Sequence, residues 1–147
     1  MVYVYNLNNL DLIANFFAEN IMTRLVFSAY CPHRNMPEYL CWSSSLSTGV
    51  FSVLDVKKMG IVAQDVYAHK SQILKLSLNY QSNLLATMSC GGTQIKIWKL
   101  PSVECIQVLS RGLFSDTSPI QSLTFSRDSA FLLNTGDDGS YLLFLVD

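Results

Sequence analysis

The 147-residue sequence contains few charged residues and no excess of either sign. Asp, Glu, Lys and Arg make up 14% of it, the formal net charge at pH 7 is −1, and the isoelectric point is near 6.0. Proteins that bind nucleic acid through its phosphates usually carry a strong positive excess. The composition therefore argues against a nucleic-acid-binding protein.

Long apolar runs are also missing, although half of the residues are apolar. No continuous apolar run reaches the roughly 18 residues that a membrane-spanning helix needs. The apolar residues are instead spread over many short segments, which can build the core of a globular domain. We therefore predict that the chain has no transmembrane segment.

The sequence lacks metal-binding motifs, because no two of its four cysteines have C-x-x-C spacing. The one close Cys/His pair, Cys31 and His33, lies in a polar segment with two prolines, residues 30–38. We interpret this segment as a surface loop rather than a binding site, and we expect no metal and no cofactor. The cysteines are interpreted as small buried apolar residues of a protein in a reducing compartment: Cys31, Cys41, Cys90 and Cys105.

Catalytic motifs are missing as well. The sequence has no nucleophile elbow, no phosphate-cradling glycine loop and no run of metal ligands. Asp137 and Asp138 are adjacent carboxylates, but Gly139 follows them, and this pattern is more typical of a hairpin turn than of an acid–base pair. We therefore expect a protein that is not an enzyme.

What the sequence does contain is a segment of short alternating strands between His69 and Gly112. Within it, Leu74, Leu76 and Leu78 alternate with polar residues, which is the period of two typical of a half-buried strand. Polar or glycine-containing turns separate four such runs. The predicted strands are Ile73–Leu78, Leu84–Met88, Gln94–Trp98 and Val103–Leu109.

This segment has related copies along the chain. A shift of 47 positions places it on the C-terminal region without a gap, so that Ile73 matches Ile120 and Gly92 matches Gly139. Two further strand-turn-strand patterns lie at the N-terminus and over residues 49–61. A sheet-forming unit that repeats every 43 to 47 residues is typical of a β-propeller of the WD-repeat type, with one blade per unit.

The predicted fold class is therefore all-β, with residues 1–147 forming part of a WD-repeat β-propeller. Residues 1–18 are interpreted as the end of one blade, 19–62 and 63–112 as two further blades, and 113–147 as an incomplete blade. Closed propellers typically have about four to eight blades, so the chain is expected to belong to a longer propeller or to need another chain.

Within these blades the pattern also predicts individual strands and core positions. The strands predicted in 19–62 are Arg24–Ala29, Tyr39–Ser43, Val50–Leu54 and Gly60–Val62. The residues predicted to be buried are Leu76, Leu78, Leu85, Ile95, Ile97, Leu123, Phe125 and Leu132.

Several motifs in the second half of the chain resemble one family of propellers. They are Ala68-His69-Lys70-Ser71, Leu84-Leu85-Ala86-Thr87, Gly92-Thr93-Gln94-Ile95-Lys96-Ile97, Leu109-Ser110-Arg111-Gly112 and the run from Ile120 to Leu132. In this order and spacing they are similar to the PROPPIN family, the seven-bladed propellers that bind phosphoinositides in autophagy. The resemblance is good over residues 66–144 and thinner over 1–65. It implies that the chain covers about three to four blades of a seven-bladed parent.

The resemblance implies two sites for phosphoinositide headgroups, one on each side of an arginine pair between two blades. Guanidinium groups bind phosphate through paired hydrogen bonds, and hydroxyl, imidazole and backbone N–H groups complete such a site. In this chain the first arginine position is Ser110 and the second is Arg111. The implied binding residues are His69, Ser71, Thr93 and Lys96 on one side and Arg111, Ser126 and Ser140 on the other.

The sequence also departs from the family pattern. Ser110 removes one guanidinium group, Leu142 stands where the family has a histidine, and Asp138 adds a carboxylate near the second site. A histidine at the position of His69 also has a structural interpretation, because it makes structural hydrogen bonds in WD repeats generally.

Two functions therefore remain open. The first is a propeller that binds phosphatidylinositol 3-phosphate and 3,5-bisphosphate at membranes, and the second is a degenerate WD-repeat scaffold that binds proteins and no lipid. For the first, the resemblance implies autophagy proteins as partners and no nucleic acid. It also implies a cytoplasmic protein that is peripheral on autophagic or endosomal membranes.

Overall fold

The computed structural model describes residues 2–6, 8–16, 27–30, 37–112 and 120–147, and every regular element in these ranges is a β-strand. No helix in this part of the chain could cross a membrane. The strands are β1 (Val2–Tyr5), β2 (Leu12–Phe16), β3 (Phe27–Tyr30), β4 (Tyr39–Ser43), β5 (Gly49–Asp55), β6 (Gly60–His69), β7 (Ile73–Leu78), β8 (Leu84–Ser89), β9 (Gln94–Lys99), β10 (Glu104–Ser110), β11 (Ile120–Phe125), β12 (Phe131–Gly136) and β13 (Tyr141–Leu145).

The strands form four antiparallel sheets, in each of which neighbours in sequence pair with one another. Sheet I contains β1 and β2, sheet II contains β3 to β6, sheet III contains β7 to β10, and sheet IV contains β11 to β13. Strand β7 contacts β3 on one side and β11 on the other, so it lies between the first strands of the flanking sheets. Consecutive antiparallel meanders of up to four strands stacked in this way are propeller blades, and the predicted all-β fold class is confirmed.

Two apolar clusters hold sheet III between its neighbours. The cluster between sheets II and III includes Phe51 and Trp98, whose rings meet edge to face with centroids 5.2 Å apart. The cluster between sheets III and IV includes Met88, Ile95 and Leu132. Of the eight predicted core residues, all are buried except Phe125, which is half-buried. The alternation of apolar residues along each strand therefore does report which face is covered.

The strands of sheet III match the pattern closely, whereas the last strand of sheet II is longer than predicted. Strand β6 was expected to end at Val62, but it continues to His69 and pairs with β5 through three register shifts. Bulges insert unpaired residues and break the alternation of side chains, which is why the pattern did not reveal this half of the strand. Sheet II therefore extends beyond position 62, where the sequence suggested the division between blades.

Gly49 allows the end of β6 to approach β5 closely. A Cβ atom at this position would collide with the backbone carbonyl groups of His69 and Ser71. Any other residue would push these two segments apart, so the glycine determines where His69 and Ser71 lie.

The cysteines do not all behave as predicted. Cys41 is buried, and burial raises the pKa of its thiol. Cys90 and Cys105 are exposed, so the expectation of a buried side chain is wrong for both. Cys90 lies in the β8–β9 turn and Cys105 on the edge strand β10, where the sheet leaves side chains open to solvent. Cys31 and most of the 30–38 segment lie outside the described residues.

Candidate functional site

An open cleft of about 480 Å³ lies between the end of β6 and the β8–β9 hairpin. Four of the seven predicted binding residues line it, namely His69, Ser71, Thr93 and Lys96. They come from four places in the chain: the end of β6, the link to β7, the β8–β9 turn and strand β9. The remaining lining residues are Tyr67, Ala68, Lys70, Ser89, Gly91 and Gln94. We call this feature the basic cleft.

Hydrogen bonds tie the two walls of the basic cleft together. The Ser71 hydroxyl oxygen accepts a hydrogen bond from the Gly91 backbone N–H at 3.3 Å, and the Cys90 N–H donates to the Gln72 carbonyl at 2.8 Å. These contacts cross from the β6–β7 link to the β8–β9 turn. The hydroxyl groups of Ser71 and Thr93 are thus carried by two backbone segments that are held together.

The charge of the basic cleft is positive. Two lysines, Lys70 and Lys96, line it, and its described lining contains no Asp or Glu. The ion pairs within the described ranges join Lys57 to Glu38 and Lys58 to Asp55, and neither cleft lysine takes part in them. Ammonium groups next to hydroxyl and backbone N–H donors can bind an anion such as a phosphate group.

His69 forms a buried hydrogen-bonded chain with two neighbours in sheet III. Its Nε2 atom lies 2.9 Å from the Thr87 hydroxyl, which accepts a hydrogen bond from the Trp98 indole N–H, also at 2.9 Å. Burial, together with the nearby charge of Lys96, lowers the pKa of His69 to about 4. The imidazole is therefore neutral at pH 7, and its hydrogen bonding matches the structural interpretation of this residue.

Arg111 is buried and supports the β8–β9 turn from outside the basic cleft. Its Nη1 group donates to the Gly92 carbonyl at 3.0 Å, and its backbone N–H donates to the Thr93 carbonyl at 2.9 Å. The buried Nε group has no hydrogen-bond partner within the described ranges. The guanidinium group is therefore directed at the back of the turn that carries Thr93.

The structure separates the last two predicted residues. Ser140 lies in the β12–β13 turn, at the end of sheet IV where Ile120 pairs with Gly136. Ser126 follows β11 at the opposite end of the same sheet. Its hydroxyl group donates to the Asp128 carboxylate at 2.6 Å and accepts from the Phe131 N–H at 3.0 Å, so it closes a turn.

Six of the ten lining residues were not among the predicted ones. Lys70 and Ser89 are polar, and the sequence offered a signal for Lys70, which stands between His69 and Ser71. Tyr67 has no such signal, because it lies in the half of β6 that the pattern did not reveal. Among the described residues, no group of three or more His, Cys, Asp or Glu side chains could hold a metal ion.

The chain is similar to named proteins along nearly its whole length. It is 32% identical to Autophagy-related protein 18 of Dictyostelium discoideum over 146 residues, which cover 99% of this chain and 37% of that protein. It is 23% identical to WD repeat domain phosphoinositide-interacting protein 1 of Homo sapiens, with 99% of this chain and 32% of that protein covered. No protein-family model matches the sequence.

The fold is similar to that of a solved complex, that of KlAtg21 with the coiled coil of AgAtg16. The TM-score is 0.78 at 22% sequence identity, with 98% of this chain and 46% of the matched chain covered. An identity this low supports the fold alone. The chain spans about a third of the length of the curated relatives quoted above, 37% and 32%.

Proposed function

The chain belongs to the PROPPIN family of WD-repeat β-propellers, and from this premise we propose that it binds phosphoinositide headgroups in the basic cleft. The observation that carries the proposal is the composition of the cleft lining, which includes Lys70, Lys96 and hydroxyl groups and contains no carboxylate. A phosphate group on an inositol ring is the anion that such a site would accept. The human relative is named for interaction with phosphoinositides, which agrees with this ligand class.

The proposed roles follow from the geometry of each residue. Lys96 supplies the charge, and Ser71 and Thr93 supply hydroxyl groups from the two linked walls. His69 acts as a neutral residue that fixes the wall through Thr87, because its low pKa leaves it uncharged at pH 7. A lysine attracts phosphate as a point charge without the paired hydrogen bonds of an arginine, so binding should weaken strongly with added salt.

Of the second predicted site, we propose only a part. Arg111 and Ser140 lie toward the same end of sheets III and IV, while Ser126 lies at the far end of sheet IV. Arg111 already donates from Nη1 to the Gly92 carbonyl, and its Nε group, which has no hydrogen-bond partner within the described ranges, is buried. We therefore assign the main headgroup site to the basic cleft and a supporting role to Arg111.

Binding to headgroups would place the protein at the surface of autophagic or endosomal membranes, in contact with other autophagy proteins. The solved structure with the similar fold is a complex with a coiled coil, which supports a protein partner for members of this fold. The scaffold alternative is favoured by Ser110, which replaces a guanidinium group with an exposed hydroxyl.

The test is flotation of the 147-residue chain with vesicles that contain phosphatidylinositol 3-phosphate or phosphatidylinositol. Lys96→Gln should reduce recruitment to the phosphorylated lipid about tenfold or more, because one charge-assisted contact contributes roughly 1.5–3 kcal/mol. Lys99→Gln is the matched control, since Lys99 is exposed on the same strand and outside the cleft. Equal recruitment of the wild type and Lys96→Gln would sink the lipid proposal and favour the scaffold.

A further inference from the structure

Tyr67 presents an exposed aromatic ring at the rim of the basic cleft. Its side chain is 62% exposed, and it lines the cleft together with Lys70 and Lys96. The aromatic contacts found in the described ranges join other rings, and Tyr67 is in none of them. We propose that Tyr67 is the platform on which the inositol ring of the headgroup lies, so that the cleft selects a phosphorylated ring over free phosphate. This inference rests on the proposed function.

The backbone that carries Tyr67 is well fixed. Tyr67 pairs with Val50 across the sheet, and the next two residues, Ala68 and His69, are buried. His69 is in turn hydrogen-bonded to Thr87 in sheet III. A rigid strand end fixes the backbone of Tyr67 at the rim of the cleft, so binding does not have to order this backbone and avoids that part of the entropy cost.

The chemistry of an inositol phosphate fits one aromatic wall and one cationic wall. The ring carries hydroxyl and phosphate groups around its rim, while its faces present C–H groups that are compatible with an aromatic face. Pockets for small molecules commonly combine an aromatic surface with a few polar groups that set the orientation. In the basic cleft Lys96 and Thr93 would hold the phosphate group, and Tyr67 would cover a face of the ring.

An exposed tyrosine near a lipid-binding site has a second possible role, that of an anchor in the membrane interface. The cleft favours the ring platform, because Tyr67 shares a concave surface with the two lysines rather than standing alone on a convex one. The two roles differ in their dependence on a bilayer. Binding of a soluble headgroup would depend on the platform and would not depend on a membrane anchor.

The experiment titrates the 147-residue chain with soluble inositol 1,3-bisphosphate and, separately, with inorganic phosphate, following both by NMR. Tyr67→Ala should weaken inositol bisphosphate binding about five- to tenfold, since aromatic contacts of this size shift affinity by that order. Binding of inorganic phosphate should stay unchanged. Tyr67→Phe should bind as the wild type does, because the ring is kept. Tyr141→Ala is the control, as Tyr141 is 75% exposed on sheet IV.

Three outcomes would overturn the platform. Tyr67→Ala could bind inositol bisphosphate as tightly as the wild type, or it could lose inorganic phosphate to the same extent, which would indicate a damaged cleft. It could also lose vesicle binding alone, which would assign Tyr67 to the membrane interface. The failure of the proposed function looks different: the wild type and Lys96→Gln would then bind inositol bisphosphate equally weakly, and both proposals would be withdrawn.

Discussion

The β8–β9 turn of sheet III and the β12–β13 turn of sheet IV share a backbone feature but carry opposite charge. Gly92 and Gly139 occupy the same place in the repeat, and both have positive φ, 60° and 81°. Cys90 and Gly91 precede the first glycine, whereas Asp137 and Asp138 precede the second. The first turn borders a cleft with two lysines, and the second presents two exposed carboxylates. The two repeats therefore share the backbone conformation of the turn, whereas the charge of the residues in the turn differs.

The strands after the two turns differ by one residue in register. In sheet III Thr87 pairs with Lys96, and in sheet IV the matching Asn134 pairs with Leu142. A 47-residue shift without a gap would place Leu143, the match of Lys96, opposite Asn134. Because Leu142 lies there instead, the β12–β13 turn is one residue shorter than the β8–β9 turn. The register makes Leu142 the counterpart of Lys96, and sheet IV therefore lacks the cation of the basic cleft.

The largest expected difference between sheets III and IV is in the stability lost when a matching aromatic residue of each sheet is replaced by alanine. Trp98 pairs with Leu85, and its counterpart Phe144 pairs with Leu132. Trp98 is buried and bonded to Thr87, so Trp98→Ala should lower the free energy of unfolding by about 3–5 kcal/mol. Phe144 is half-buried, so Phe144→Ala should cost about half as much. Denaturant unfolding measures both, and equal losses would contradict the comparison.

The free energy of unfolding should depend on pH because of the hydrogen bonds that link His69, Thr87 and Trp98, an arrangement with no described counterpart in sheet IV. The pKa of His69 is about 4 in the folded chain against an ordinary value of 6.5, so the unfolded chain takes up the proton first as the pH falls. The stability due to neutral His69 is fully present above pH 6.5, declines below it and is lost by about pH 4. The total loss should be up to about 3 kcal/mol.

The check is denaturant unfolding of the wild type and His69→Gln between pH 7 and pH 4. Carboxylates titrate in both proteins, so the difference between the two isolates His69. That difference should shrink as the pH falls. A difference that stays constant over this range would show that His69 is not held neutral.

The smallest expected effect comes from moving one charge from sheet IV to sheet III. Gly91→Asp copies Asp138 into the basic cleft, and a Cβ atom there meets the Ser71 hydroxyl at an ordinary contact distance of 3.5 Å. The added carboxylate should weaken inositol bisphosphate binding up to about tenfold at low salt. Gly91→Asn has the same shape without the charge and should bind within about twofold of the wild type. Equal weakening by both would attribute the effect to shape.

The motifs of the family resemblance pointed to four residues that line the basic cleft, and the exceptions have clear physical causes. His69, Ser71, Thr93 and Lys96 were identified from motifs in two separate segments, and sheet stacking brings them together. Ser126 could have been recognised as a turn residue, because the 47-residue shift places it on Asn79. The Asn79 side chain also closes a turn, accepting from the Leu84 N–H at 2.9 Å.

Local alternation of apolar and polar residues determined the strands and the core of this protein, because a side chain's face in a sheet depends only on its position along the strand. Strand Ile73–Leu78 was predicted to the residue for this reason. Only the tertiary structure decided that His69 is neutral and that Arg111 turns toward the Gly92 carbonyl. Burial and the distance to other charges set both properties, and neighbouring sheets supply them from residues far apart in sequence.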